Sequence, residues 1–314
     1  MKVTWLRGGL IVDGTSAPGW KGDVLLVDGR IAALATQLTA AQRDAFGPAS
    51  DVEEIDCTGK VIAPGFIDVH THDDATVLDM PQNLPKLSQG VTTVIVGNCG
   101  ISLAPVVTDA PIAPLSLLGD KQFRFHSFAQ YADAVDASEP CVNVAALFGH
   151  TALRVKHLSD LNRAATVDER NAMLVDVREA MQAGALGLSS GVFYEQAFAA
   201  DMDELVPLAS EVARQGGVYA THIRSELETL LPSMMEAAET ARHAGVPVIF
   251  SHHKCCGPSN WGRAKETLAL IDQLALQQDA GLDVYPYTAG STVLRPDLAD
   301  GVIDILITNS ESHP

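Results

Sequence analysis

The 314-residue chain is poor in basic residues and has no long apolar run, and each shortage excludes a class of protein. Its 21 lysines and arginines stand against 39 acidic residues, which gives a formal net charge of −18. This balance argues against nucleic acid or an anionic membrane as a partner. No run approaches the ~20 apolar residues that span a bilayer. The opening MKVTWLRGGL also lacks the apolar stretch of a signal peptide.

Cysteine is scarce, and its spacing excludes a disulfide framework. The five cysteines are Cys57, Cys99, Cys141, Cys255 and Cys256. Their number is odd and no CxxC pair occurs, so we expect a cytoplasmic protein with free thiols. Hydrophobic residues at 47% and charged residues at 19% are typical of a folded globular chain.

The first 60 residues predict a small β-domain. Short apolar runs at residues 10–12, 24–27 and 31–34 are separated by glycine turns. Residues 40–53 are polar and alanine-rich, and predict a surface excursion. The segment is too short to close a core without further strands, so we predict part of a β-sandwich domain in residues 1–60.

From residue 61 onwards, strand-like and helix-like segments alternate. The strand-like runs are residues 61–72, 90–98, 142–148, 185–189, 217–221, 246–251 and 281–285. Helical stripes of apolar residues occupy 168–182, 226–244 and 264–278. This alternation predicts an α/β fold with a parallel sheet, in the form of a (β/α)8 TIM-type barrel over residues 61–314. One more apolar run, 302–308, precedes the end of the chain.

The run VIAPGFIDVHTH ends with His70 and His72, two positions apart. Residues i and i+2 of a strand lie on the same face, roughly 7 Å apart. The two imidazoles can therefore hold one metal ion or one member of a pair. An isolated H-x-H is more often a pair of solvent-exposed histidines, so the motif needs support from the rest of the chain.

That support comes from the other strand ends, where a barrel places its active site. Further imidazole and thiol groups follow the predicted strands at Cys99, His150, His222, His252 and His253. Neutral imidazole and thiolate are ligands that suit zinc. Neighbouring residues of a strand point to opposite faces, and periodicity does not decide between His252 and His253.

Six motifs together resemble the amidohydrolase superfamily, and within it the N-acyl-D-amino-acid deacylases. They are VIAPGFIDVHTHDD, GVTTVIVGNCG, FGHTALR, YATHIRSE, SHHK and VYPYTAGST. The resemblance implies a small β-sandwich beside a distorted barrel that carries one or two zinc ions. Cys99 would take the bridging place that a carboxylated lysine on the fourth strand fills in other members. The fourth strand here, GALGLSSG, contains no lysine.

The resemblance also implies the metal ligands. Cys99, His222 and His252 would hold a tight zinc, and His70 and His72 would belong to a second, weaker position. The family's S-H-x-K pattern selects His252 rather than its neighbour.

The implied reaction is zinc-dependent hydrolysis of an N-acyl-D-amino acid to a carboxylate and a free D-amino acid. Substrate contacts are expected at Lys254, Tyr285, Ser291 and Tyr194. The family's catalytic aspartate follows the eighth strand, and no aspartate in that setting precedes Pro314. We therefore expect a chain that lacks its last strand and this aspartate, with little or no turnover by the 314-residue form.

Two other functions remain open at the level of sequence. The chain could be another amidohydrolase, such as a cyclic amidase or a dipeptidase, or an inactive fragment that keeps metal ligands. Four residues near the motifs receive structural interpretations. Cys255 and Cys256 are expected to be loop or core thiols, and Arg224 and Glu226 to pair with each other or with neighbours.

Overall fold

The computed structural model describes residues 2–46, 52–293 and 305. Two compact units are formed, Met1–Phe66 and Ile67–Pro314. The division lies just after Phe66, whereas the sequence pattern placed it after residue 60.

The first unit is built on one five-stranded mixed sheet. Its strands are β1 (Val3–Ile11), β2 (Trp20–Val27), β3 (Arg30–Ala35), β4 (Val52–Asp56) and β5 (Val61–Ile62). The order is β3-β2-β1-β4, with β5 also paired to β1. The β1–β2 and β2–β3 pairs are antiparallel, and β4 and β5 run parallel to β1.

A small apolar cluster and one buried carboxylate hold this unit together. Val3, Trp5, Leu25 and Leu38 form the cluster. Asp23 accepts hydrogen bonds from the backbone of Gly8 and Leu38, which ties the strands to the loop after β3. Residues 2–46 and 52–66 contain no second sheet packed on the first, so the complete sandwich stays a prediction.

The expected surface excursion at residues 40–53 has no buried residue among those described, but it contains regular structure. Ala40–Asp44 forms helix α1, whose Thr39 N-cap and Gln42 make a capping box. Strand β4 then begins at Val52, inside the excursion. The helix is stabilised by its capping box and the strand by pairing with β1, and neither could be inferred from the polar composition.

The second unit contains a seven-stranded sheet in sequence order, as in a (β/α)8 barrel. Its strands are β6 (Phe66–Asp68), β7 (Val91–Val96), β8 (Asn143–Gly149), β9 (Gly187–Gly191), β10 (Val218–His222), β11 (Val248–Phe250) and β12 (Ala280–Leu282). The pairs from β7 to β12 are parallel. All seven predicted strands are therefore confirmed, and the apolar run 302–308 lies outside the described residues except for Ile305.

The first predicted run divides into two strands. Val61–Ile62 pairs with β1 in the N-terminal sheet, and only Phe66–Asp68 enters the barrel sheet. Pro64 and Gly65 lie between the two pieces. One apolar run therefore contributes a strand to each sheet. Its composition does not show at which residue the chain leaves the N-terminal sheet and enters the barrel sheet.

Nine helices follow the strands of the second unit within the described residues. They are α2 (Thr76–Asp79), α3 (Leu84–Leu87), α4 (Phe128–Ser138), α5 (His150–His157), α6 (Val167–Gln182), α7 (Glu195–Phe198), α8 (Met202–Arg214), α9 (Leu230–Ala244) and α10 (Ala264–Ala275). A Thr166–Glu169 capping box starts α6, and Gly245 ends α9 in the left-handed conformation. In this part of the chain, none of the helices is long and apolar enough to cross a membrane.

Candidate metal centre

Five predicted metal ligands come together at the carboxyl ends of the barrel strands. These residues, which we call the Cys99 cluster, are His70, His72, Cys99, His222 and His252. Cys99 Sγ lies 3.2 Å from His70 Nε2 and 3.4 Å from His252 Nε2. His252 Nε2 in turn lies 2.9 Å from His222 Nδ1. The structure therefore brings together five of the residues that the strand-end rule selected, and their role as metal ligands stays a prediction.

The two histidines of the H-x-H motif lie beyond the strand that was expected to carry them. Strand β6 ends at Asp68, before His70. The ring centroids of His70 and His72 are nevertheless 5.8 Å apart, and both rings hydrogen-bond to the thiol of Cys99. The same-side relation predicted for the two imidazoles thus holds in an irregular segment.

A tight loop with the sequence GNCG aims the thiol of Cys99. Gly97 has φ +78°, and a Cβ on it would lie 2.1 Å from the backbone oxygen of Leu147, so only glycine fits. Ser189 on β9 donates to Gly97 O at 2.5 Å and accepts from Gly100 N at 2.9 Å. Cys99 itself has φ +56°, a region that few non-glycine residues adopt.

The structure places His252, and not His253, in the cluster. His252 also has a left-handed backbone, with φ +38°, and its N–H donates to Asp283 Oδ1 at 2.6 Å. His253 points the other way, towards Thr267 Oγ1 at 2.8 Å on α10. This agrees with the choice that the S-H-x-K pattern made.

The surroundings of Cys99 favour its thiolate form, and those of His70 and His252 favour protonated imidazoles. Burial raises the pKa of Cys99, but hydrogen bonds from the four histidines outweigh it and hold the pKa well below its usual range. Burial lowers the pKa of His70 and His252, yet contacts with Cys99 and with carboxylates raise them to about 10 and about 9. A metal cation can replace these protons, since metal binding at such sites releases them.

Glu226 adds a buried carboxylate on the far side of His252. Its Oε1 lies 3.1 Å from His252 Nδ1 and accepts from Lys254 Nζ at 2.5 Å. Burial raises the pKa of Glu226, but the charges of His222, His252 and Lys254 prevail and bring it to about 2. Of the two expected pairings, that with neighbours is confirmed, and the pairing of Glu226 with Arg224 is wrong because Arg224 binds Glu236.

Asp283 is a site residue that the sequence reasoning missed. Its Oδ1 lies 3.0 Å from His70 Nδ1. The signal that could have found it is a carboxylate directly after β12, where the other strands place their histidines and thiol. The motif VYPYTAGST begins one residue later and drew attention to Tyr285 instead.

Contacts place three of the four expected substrate-binding residues, Lys254, Tyr285 and Tyr194, beside the cluster. Lys254 Nζ is 5.7 Å from the ring centroid of Tyr285. The ring of Tyr194 is 5.2 Å from that of His222, and its hydroxyl lies 3.4 Å from Thr292 Oγ1. Ser291, the neighbour of Thr292, is exposed.

Three other residues singled out in the sequence play different parts. His150 was expected at the same mouth but is fully buried, with Nε2 2.8 Å from Glu204 Oε1. Cys255 Sγ lies 3.9 Å from a hydroxyl of α10, as expected of a core thiol. Cys256 Sγ lies 3.6 Å from Glu226 Oε2, so this thiol borders the site.

The donor set of the Cys99 cluster fits a zinc ion. Donor atoms in tetrahedral zinc sites are separated by roughly 3.3–3.8 Å, given bond lengths of about 2.0–2.3 Å. The contacts of 2.9–3.4 Å around Cys99 and His252 are close to this spacing. Ligand atoms of His70, Cys99 and His252 lie within 4.8 Å of one another, as do those of His222, Glu226 and His252.

A thiol and imidazoles gathered at the carboxyl ends of parallel strands are the donor set expected of the amidohydrolase family. Residues 53–287 match the sequence profile described as "Amidohydrolase family", and the chain belongs to that family. It is 44% identical over 293 residues to a D-aminoacylase of Alcaligenes xylosoxydans xylosoxydans, covering 93% of this chain and 59% of the relative. An N-acyl-D-aspartate deacylase of the same organism is 44% identical over 311 residues, covering 98% and 61%.

Solved structures agree with the sequence relatives. A D-aminoacylase crystal structure superposes with a TM-score of 0.87 at 46% identity, covering 92% of this chain and 59% of that one. An N-acyl-D-glutamate deacylase from Bordetella bronchiseptica, complexed with zinc and a phosphonate inhibitor, gives 0.87 at 40% identity, covering 95% and 61%. The chain thus spans about three fifths of the length of these relatives.

Proposed function

We propose that this chain binds zinc at the Cys99 cluster and hydrolyses N-acyl-D-amino acids to a carboxylate and a free D-amino acid. The observation that carries the proposal is a buried free cysteine, Cys99, surrounded by four imidazoles at the barrel's strand ends. Similarity to a D-aminoacylase and to deacylases of N-acyl-D-aspartate and N-acyl-D-glutamate supports the substrate class.

Cys99, His222 and His252 are the proposed ligands of a tight zinc, with His70 and His72 at a second, weaker position. Thiolate and imidazole favour zinc over magnesium or calcium, which prefer oxygen ligands. The zinc complex of the related N-acyl-D-glutamate deacylase supports the same choice. Glu226 faces the outer nitrogen of His252, and we assign it the part of a carboxylate that orients a ligand rather than of a ligand itself.

A bound zinc ion would acidify water and polarise the amide carbonyl, so that attack proceeds near neutral pH. The residues of the chain supply binding and orientation. The ammonium of Lys254 lies 2.5 Å from Glu226 Oε1, 2.8 Å from His252 Nδ1 and 3.1 Å from the backbone oxygen of His252. Its positive charge can attract the α-carboxylate of the substrate, with Tyr285 beside it and Tyr194 and Ser291 lining the acyl amino acid.

We assign the catalytic proton acceptor to no carboxylate of the described cluster, because Glu226 and Asp283 are each engaged by two site residues. A cytoplasmic location is proposed as well. Cys99 can serve as a ligand only as a free thiolate, and all five cysteines are free. A cyclic amidase is less favoured, since β9 offers Ser189 and Ser190 and has no lysine for a carbamate bridge.

The test is to measure zinc per chain together with hydrolysis of the N-acetyl derivatives of D-methionine, D-aspartate and D-glutamate. The L forms and a hydantoin serve as controls. We expect one tightly bound zinc and slow hydrolysis that releases the D-amino acid only, because no carboxylate of the described cluster is assigned as the proton acceptor. A chain that binds no zinc would contradict the whole proposal, while zinc binding without D-selective hydrolysis would contradict the deacylase half. The three D substrates separate a hydrophobic from an acidic side-chain preference.

A further inference from the structure

Asp283 touches two of the proposed zinc ligands with a single oxygen atom. Its Oδ1 lies 3.0 Å from His70 Nδ1 and accepts from the backbone N–H of His252 at 2.6 Å. The residue is only 9% exposed, so the carboxylate is shielded from competing water. No sequence motif that located the cluster includes this residue.

The backbone of Asp283 is fixed by the strand ladder. Its N–H donates to Phe250 O at 3.2 Å, and its own carbonyl accepts from His253 N at 2.8 Å. These two bonds extend the parallel pairing of β11 and β12 by one step beyond Leu282. The carboxylate is therefore held at a set height above the sheet, beside the turn that carries His252.

The two contacts close a ring of interactions around Cys99. The carboxylate charge 3.0 Å from His70 Nδ1 favours a proton on that nitrogen, although the pair is not aligned as a hydrogen bond, and Nε2, 3.2 Å from Cys99 Sγ, is left as the metal-facing atom. The bond to His252 N stabilises a backbone with φ +38°, a conformation that costs free energy unless its surroundings hold it. In that conformation His252 Nε2 lies 3.4 Å from Cys99 Sγ.

We propose that Asp283 is a positioning residue: its one oxygen fixes the ring of His70 and the backbone of His252, so that both Nε2 atoms face Cys99 Sγ, the thiol between the two proposed metal positions. This inference rests on the proposed zinc site. Glu226 acts at a different point, because it contacts the ring Nδ1 of His252 and leaves the backbone of that residue untouched.

The test is zinc affinity of the full chain, measured by competition with a chromophoric chelator. Asp283→Ala removes both contacts, and loss of such an outer carboxylate typically weakens metal binding by about 10–100-fold. Asp283→Asn keeps an acceptor oxygen at the same place without the charge, so we expect an intermediate affinity. Asp279→Ala, an exposed aspartate four positions earlier, is the matched control and should bind as the wild type does.

A second readout separates positioning from a merely structural role. In spectra of the zinc-loaded protein with ¹⁵N-labelled histidine, His70 should carry its proton on Nδ1, with its signal identified by its loss in His70→Gln. Wild-type zinc affinity in a folded Asp283→Ala protein, or a proton on His70 Nε2 in the wild type, would overturn the inference. If Asp283→Ala does not fold, the position of the proton decides. A wild-type chain that binds no zinc would instead contradict the proposed function, so the two failures are distinguishable.

Discussion

Two buried histidine clusters lie at strand ends of the same barrel, and they balance charge in opposite ways. In the first, His150, Arg154 and Glu204 form a closed set that we call the Glu204 cluster. Arg154 Nη1 donates to both oxygens of Glu204 at 2.6 Å, and His150 Nε2 lies 2.8 Å from one of them. The guanidinium also binds three backbone carbonyls. The permanent charge of Arg154 therefore neutralises Glu204, and, unlike a proton, this charge cannot be displaced by a metal ion.

The Cys99 cluster has no permanent cation at its centre. Protons on His70 and His252, whose pKa values are raised to about 10 and about 9, balance the thiolate. His222 has a pKa lowered chiefly by burial, and among the described residues its Nε2 has no hydrogen-bond partner. Protons can leave when a metal binds, whereas an arginine cannot give up its charge. Both clusters lie at strand ends, so position alone does not identify a metal site. The Cys99 cluster differs because the positive charges around it are protons that a metal ion can displace.

The largest effect should follow from breaking the Glu204 cluster. Glu204→Gln leaves Arg154 buried without its counter-charge, and removal of one partner of a buried pair costs about 3–5 kcal/mol. Urea unfolding of the apo-protein measures this free energy. Glu266→Gln, in a part-exposed pair with Arg263, is the control and should cost far less, because solvent screens this pair. Zinc affinity should be unchanged in both variants, and its loss in Glu204→Gln would mean that the two clusters are not independent.

Removal of the thiol should have the converse result, a loss of zinc binding with little loss of apo-protein stability. Structural zinc sites bind with about 10–16 kcal/mol over four ligands, so losing one ligand should weaken binding by roughly 3–4 kcal/mol. Chelator competition on Cys99→Ala measures this, with the exposed Cys141→Ala as control. Retention of wild-type affinity in Cys99→Ala would exclude the thiol as a ligand.

Acid should weaken the Glu204 cluster in a defined pH range. Burial alone would raise the pKa of Glu204, but hydrogen bonds and charges from His150 and Arg154 bring it to about 2. Because the folded pKa lies below the unfolded value of about 4.5, the contribution is complete above that value and is lost as the pH falls through about 2. The shift corresponds to about 3 kcal/mol. The stability difference between wild type and Glu204→Gln should therefore shrink below about pH 4.5; a constant difference would refute a charged Glu204.

The sequence predicted those parts of the molecule that follow from periodicity and strand order. Seven strands and helices α6, α9 and α10 were found because buried parallel strands and amphipathic helices repeat with fixed periods. The five residues of the Cys99 cluster were found because strand ends converge in a barrel. Periodicity could not show that Val61–Ile62 belongs to another sheet, since an apolar strand has the same composition in either place.

Partner choice among buried charges was beyond sequence reasoning. His150 directly follows strand β8, close to the position that His222 has on β10, yet it faces Glu204, a residue far along the chain on α8. Asp283 and Glu226 look like ordinary loop acids until the distances to His70, His252 and Lys254 are known. Long-range pairing of this kind depends on side-chain direction, which no local pattern records.

We expect the smallest effect on zinc binding from two adjacent serines on β9. They separate a contact that holds the Cys99 loop from a contact that only packs the sheet. Ser189 Oγ binds both ends of the Cys99 loop, Gly97 O and Gly100 N, whereas Ser190 Oγ binds the hydroxyls of Tyr219 and Thr221. Either alanine substitution leaves buried polar groups without a partner and should cost about 1–3 kcal/mol in urea unfolding.

Only Ser189→Ala should also weaken zinc binding, because only this serine fixes the left-handed backbone that aims Cys99. We expect a loss of several-fold, smaller than that from Cys99→Ala, since the ligand itself remains. Chelator competition on the two variants, compared at equal apo-protein stability, provides the measurement. Equal zinc affinities in Ser189→Ala and Ser190→Ala would show that the glycines of the GNCG loop hold the thiol in place without help from β9.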